Sequence, residues 1–141
     1  MSKAKISLKT RKLVSQQANG KCEYCHSQVK YADSPFDVDH IIPISMGGGS
    51  EPDNLAFCCH GCNLFKADRV SAFDLLSRRE ATIFNPRAQI WSEHFSWSSD
   101  ATTIVGLTAT ARVTIDALRL NRRGLVNQRQ VLAELGLHPS I

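Results

Sequence analysis

The chain has 141 residues, 43% of them hydrophobic and 21% charged, with a formal net charge of +4. That length sets a one-domain expectation with a modest core, and the composition is in the ordinary globular range and does not indicate disorder. The N-terminal stretch "MSKAKISLKTRKLV" is basic but has no apolar run of signal-peptide length, and no later segment reaches membrane-spanning length, so the expectation is a cytoplasmic protein without membrane contact.

In chain order, residues 7–18 read as a short helix with Ser7 as its N-cap and Asn19-Gly20 as its stop. "KCEYCHS" reads as a tight turn. Residues 36–42, "FDVDHII", have strand composition, and Pro43 with residues 45–54 makes a loop rich in glycine and turn residues. "LAFCC" reads as a second, short and buried strand. From Asn63, the residues Leu64, Phe65, Ala67, Val70, Phe73 and Leu75 or Leu76 fall near helical spacing, which predicts a helix running on past Val70.

The C-terminal half differs in texture. "IWSEHFSW" alternates, with Trp91, Glu93, Phe95 and Trp97 on one face and Ser92, His94 and Ser96 on the other, as in a strand. "SSDA" suits a turn and "TTIVGL" a returning strand. "TATARVTIDALRL" and "RRGLVNQRQVLAEL" read as two closing helices, the second ended by Gly136. The expected class is α+β, with a core at residues 1–80 and an extension at residues 81–141, a hairpin plus helices, packed on that core.

Five cysteines are present, four of them in two C-x-x-C pairs, Cys22 with Cys25 and Cys59 with Cys62. Each pair forms a tight turn that aims two thiolates at one tetrahedral ion, and two pairs together are the signature of a structural Zn2+ site. In a reducing cytoplasm metal binding is favoured over disulfides. The competing reading is a redox C-x-x-C or a set of buried thiols. Cys58 directly precedes Cys59 and points the other way on a strand, so it is expected to be a small buried hydrophobe.

The run "DHIIPISMGGGSEPDNLAFCCHGCNLFK" resembles the motif of the HNH endonucleases, in their zinc-knuckle subgroup with a C-x-x-C on either side. The tail from "FNPRAQIWSEHFSW" to "LRLNRR" is similar to C-terminal extensions on some stand-alone bacterial HNH proteins. The resemblance implies a ββα-metal (His-Me finger) core, a two-stranded antiparallel hairpin with a helix across it that grips one divalent cation. It implies His40 as the general base for water, Asn54 as the residue steadying the loop that carries that base, and Asn63 with Asp39 as ligands of the catalytic cation. The family often has histidine where this chain has Asn63.

The implied chemistry is coherent. Phosphodiester hydrolysis needs a deprotonated water in line with the leaving oxygen and a cation for the developing charge. A histidine, with an ordinary pKa of about 6.5, is a competent base at neutral pH. A carboxylate with an amide oxygen is a hard, water-tolerant ligand set that suits Mg2+ or Mn2+. Neighbours on a regular strand face opposite ways, so Asp39 and His40 can share a pocket only if the strand ends, twists or bulges there. Pro43 favours that ending.

Lys66 and Arg69 follow Asn63 at helical spacing and are the candidate phosphate contacts. Arg119, Arg122, Arg123 and Arg129 gather in the closing helices, either as a DNA-gripping set or as a solvated surface. His26 and His60 are expected to be exposed bystanders beside the cysteines, His94 a partly buried hairpin residue, and Trp91 and Trp97 core. The expected function is a metal-dependent DNA endonuclease, acting as a monomer or homodimer; the alternative is a non-catalytic zinc-containing module that binds nucleic acid. Target specificity, nicking against double-strand cutting, and biological role are open at this level.

Overall fold

The computed structural model describes residues 6–140, so Lys3 and Lys5 of the basic N-terminus lie outside the described residues. The chain divides into two units, Met1–Val70 with Asn85–Gln89 and Ser71–Phe84 with Ile90–Ile141. Among the described residues no helix is long and apolar enough to cross a membrane. The class is mixed, with helices and, among the described residues, three two-stranded antiparallel sheets.

The first unit opens with α1 (Leu8–Gln17). Ser7 caps it, its hydroxyl accepting from the Thr10 amide at 3.1 Å. Asn19 and Gly20, both at positive φ, turn the chain out of the helix. Val14 and Ala18 project from this segment into a cluster with Ile6, Val38, Leu55 and Phe57, while Val29 and Phe36 pack against its edge. Val14 and Leu55 are fully buried, each worth about 1.5–3 kcal/mol of apolar burial.

That cluster supports the hairpin of β1 (Asp37–His40) and β2 (Leu55–Cys58), paired antiparallel from Asp37 opposite Cys58 to His40 opposite Leu55. Val38 and Phe57 sit opposite each other and face the cluster. Between the strands the chain makes 3-10 turns at Ile44–Met46 and Pro52–Asn54. After Cys59 comes α2 (His60–Lys66), which packs on β1.

α2 stops at Lys66, short of the long helix predicted from the apolar spacing. Ala67 adopts φ 50°, outside helical geometry, and the next regular element is a strand. The apolar positions Phe73, Leu75 and Leu76 are exposed, so their helical spacing marks no buried face.

The second unit begins with the hairpin of β3 (Ser71–Asp74) and β4 (Arg79–Thr82). Residues 90–97 depart from the expected continuous strand. A one-turn helix, α3 (Trp91–His94), leads into β5 (Phe95–Trp97), and β6 (Ile104–Gly106) returns against it as expected for the hairpin. Trp91 and Phe95 lie four apart, a spacing that fits a helical turn as well as alternation. Their stacked rings, 5.0 Å between centroids, select the turn. Phe84 meets Phe95 edge-on at 5.3 Å.

α4 (Ala109–Leu118) and α5 (Arg123–Glu134) close this unit, with Thr108 capping α4 through the Ala111 amide. Arg129 is 3% exposed; it donates to the carbonyls of Leu120 and Thr102 and lies over the Trp97 ring. It is therefore a structural clamp, which removes it from the candidate DNA-gripping arginines.

Candidate active site and cysteine cluster

Cys22 and Cys25 sit in a turn whose Cys25 amide donates to Cys22 Sγ at 3.4 Å. The turn is held on β2 by two bonds, from the Glu23 amide to the Phe57 carbonyl and from the Phe57 amide to Glu23 Oε1, each 2.9 Å. Arg87 forms an ion pair with Glu23 behind it. Cys59, directly after β2, is the N-cap residue of α2 and Cys62 lies in the first turn of that helix, so the hairpin and helix deliver the second pair to the same place.

The four sulfurs lie within 4.8 Å of one another, and all four residues are buried or nearly so. Cys25 Sγ and Cys59 Sγ are 3.7 Å apart, close to the ~3.8 Å edge of a tetrahedron built on Zn–S bonds of about 2.3 Å. Burial pushes the Cys22 thiol up, while hydrogen bonds from the Cys22, Cys25 and Cys62 sulfurs hold Cys59 far below its usual range. A buried set of four soft ligands converging on one point fits a metal ion such as zinc. Cys58 is fully buried outside this group, and burial raises its thiol.

A cleft of about 450 Å³ opens beside the hairpin, lined by Asp39, His40, Pro43, Ser45, His60 and Asn63 among others. His40 is the last residue of β1, and the chain bends immediately after it. Asp39 and His40 both line the one cleft although they are neighbours on β1.

His40 Nε2 is 3.0 Å from Ser50 Oγ. Asn54 works on the backbone behind it. Its Oδ1 accepts from the Ile42 amide at 2.9 Å, and its Nδ2 donates to the carbonyls of Ile42 and Gly49 at 2.9 and 2.8 Å. Gly48 is required beside this clasp, because a Cβ there would overlap the Ile42 carbonyl oxygen and crowd Asn54 Nδ2. Asn54 thus staples both ends of the loop that follows His40.

Asp39 is 4% exposed, and its Oδ2 accepts from the Tyr24 hydroxyl at 3.0 Å and pairs with Lys66 Nζ at 3.1 Å. Lys66 itself is 1% exposed and also donates to the carbonyls of His40 and Ile41. This corrects the expectation of Lys66 as a phosphate contact, since its ammonium is enclosed and already holds a carboxylate. Arg69 is exposed and donates to the Phe65 carbonyl.

Asn63 Nδ2 donates to Asp37 Oδ2 at 2.9 Å, and the same oxygen accepts from His60 Nδ1 at 2.8 Å. With a carboxylate as acceptor the amide must present its NH2 to Asp37, which directs its oxygen away from it. His60 is therefore no bystander, although its side chain is 69% exposed. Sequence reading missed Asp37 as well. The available signal was the D-x-D-H alternation, which sets Asp37 and Asp39 on one face of β1.

Residues 22–69, the segment from the first cysteine pair through α2, match the HNH endonuclease family and identify an HNH domain there. Within the chain, 54 residues are 35% identical to the CRISPR-associated endonuclease Cas9 of Corynebacterium diphtheriae. The aligned part covers 38% of this chain and 5% of that relative's length. No solved structure matches the chain with significance.

Proposed function

We propose that this protein is a metal-dependent DNA endonuclease that hydrolyses phosphodiester bonds at the cleft of the first unit, on a ββα-metal core made by β1, β2 and α2. One observation carries the reading: Asp39, His40 and Asn63 line a single cleft inside the segment that matches the HNH family. Three residues of that chemistry are not needed by a module that only binds.

His40 is assigned as the general base. In the tautomer that donates Nε2–H to Ser50, the basic lone pair lies on Nδ1, and that atom takes the proton of the attacking water. Asn54 keeps the imidazole in place by fixing the loop on both sides of Gly48. Asp39 and Asn63 supply a carboxylate and an amide oxygen, a hard donor set that fits Mg2+ or Mn2+ rather than a second zinc. Bound there, such a cation supplies charge neutralisation at the scissile phosphate. Asp37 and His60 hold the Asn63 amide in its ligand orientation. Arg69 is assigned to the phosphate backbone on the solvent side.

The cysteine cluster is assigned to Zn2+ with a folding role, in the reducing cytoplasm. Metal binding by ligands drawn from two distant turns is also folding free energy for so small a unit.

The Lys66–Asp39 pair favours a second reading, a zinc module that binds nucleic acid without cutting it, because a lysine then fills the cation's role at Asp39. Plasmid relaxation separates the two. Conversion of supercoiled DNA by purified protein in Mg2+ or Mn2+, abolished by EDTA, supports the enzyme; retention of DNA without conversion supports the module.

A further inference from the structure

We propose that Tyr24, the aromatic residue inside the first cysteine pair, is a positioning residue for the cation-binding carboxylate of Asp39. The proposal rests on the nuclease reading above and adds to it a physical link between the cysteine cluster and the cleft.

Tyr24 is fully buried, and its hydroxyl donates to Asp39 Oδ2 at 3.0 Å. A phenol, with an ordinary pKa of about 10, is a neutral donor at neutral pH. Its backbone has little freedom. Cys22 and Cys25 flank it in the cluster, and Glu23 is bonded to Phe57 in both directions. The phenol is thus presented from a turn that is fixed before any substrate arrives.

The second donor to the same oxygen has the matching origin. Lys66 ends the helix that begins beside Cys59 and contains Cys62. Each half of the cysteine cluster therefore sends one donor to Asp39 Oδ2. Two donors converging on one oxygen stop the carboxylate from turning about its Cβ–Cγ bond, which holds it ready for a cation. Outer partners of this kind set ligand orientation and carry a substantial share of affinity. The two donors differ in charge. Lys66 competes electrostatically with an incoming cation, whereas the neutral phenol orients the carboxylate without opposing it.

Tyr24→Phe keeps the ring and removes the donor. In the full chain loaded with zinc, it is expected to retain one zinc and to bind Mn2+ about tenfold more weakly by titration, the effect of losing one hydrogen bond to a charged group. Nicking should shift to higher Mn2+ while turnover at saturating Mn2+ stays near wild type. In an Asp39→Ala background the same substitution should change Mn2+ binding no further. Unchanged Mn2+ affinity in a zinc-loaded Tyr24→Phe protein overturns the proposal. A wild-type protein that binds zinc and shows no Mn2+- or Mg2+-dependent nicking overturns the nuclease reading itself, and this link with it.

A second measurement does not depend on the variant folding. The chain has two tyrosines, Tyr24 and Tyr31. In protein carrying 3-fluorotyrosine, with Tyr31→Phe used for assignment, Mg2+ should move the Tyr24 fluorine resonance and leave that of Tyr31 in place. A Tyr24 resonance that stays fixed at Mg2+ concentrations supporting nicking contradicts the link.

Discussion

Lys66 Nζ and Asp39 Oδ2 lie 3.1 Å apart with both side chains almost wholly buried, so the helix that carries Asn63 is pinned by charge to the strand that carries His40. Removing one partner of such a pair leaves an uncompensated buried charge, at a cost of about 3–5 kcal/mol. Lys66→Met is expected to lower the urea stability of the first unit by about that much. The double variant Asp39→Leu/Lys66→Met should cost less than Lys66→Met alone, because no isolated charge remains. Equal or greater loss in the double variant would show that the ion pair is not the reason.

Cys59→Ser should lose zinc and unfold the first unit, since it removes one of four converging ligands. Cys58→Ser should keep one zinc per chain and cost about 1–3 kcal/mol, the penalty of placing a hydroxyl at a fully buried apolar position. Metal analysis beside a denaturation curve reads both. Loss of zinc in Cys58→Ser would contradict the assignment of the cluster.

The cysteine spacing was legible because a C-x-x-C turn is local, and two of them need only be brought together. The strand expected at residues 36–42 was likewise readable from composition, although it ends at His40, and the two closing helices stand where they were expected. What stayed hidden depends on contacts across the sequence. Nothing in the spacing of Lys66 tells that its side chain turns inward to Asp39, since a lysine following Asn63 on a helix looks like a surface cation. Asp37 and His60 escaped for the same reason, being 23 positions apart and joined only when β1 and α2 pack. The overlong helix after Asn63 failed because six apolar residues fit a helical period that no buried face uses.

Asn54→Ala removes one acceptor and two donors from the loop behind His40, leaving Ile42 and Gly49 backbone groups unpaired. The expected stability loss is about 1–3 kcal/mol, with a fall in turnover and little change in zinc content. Gly48→Ala should reproduce the turnover defect, because its Cβ forces the same segment to move. Wild-type turnover in Gly48→Ala would argue that the loop does not position the base.

Asp74 and Arg112 in the second unit form a two-pronged pair at 3.0 and 2.9 Å, with the Ser77 amide as a third donor. Hydrogen bonding to Arg112 holds the Asp74 carboxyl well below the usual carboxylate range. A depressed carboxyl stabilises the fold above its unfolded pKa, about 3.9, and that contribution is lost as pH falls through the folded value. Asp74→Asn should start less stable at neutral pH and lose less on acidification below about pH 4 than wild type does. Parallel acid-denaturation profiles for the two proteins would contradict the pairing.

The central claim, that His40 is the base of a metal-dependent nuclease, is tested most directly by the rate at which His40→Ala nicks supercoiled plasmid in Mg2+ or Mn2+. The account predicts a rate at least about 100-fold below wild type, with zinc content, melting and DNA retention nearly unchanged. Nicking by His40→Ala at the wild-type rate, in protein free of contaminating nuclease, would contradict it.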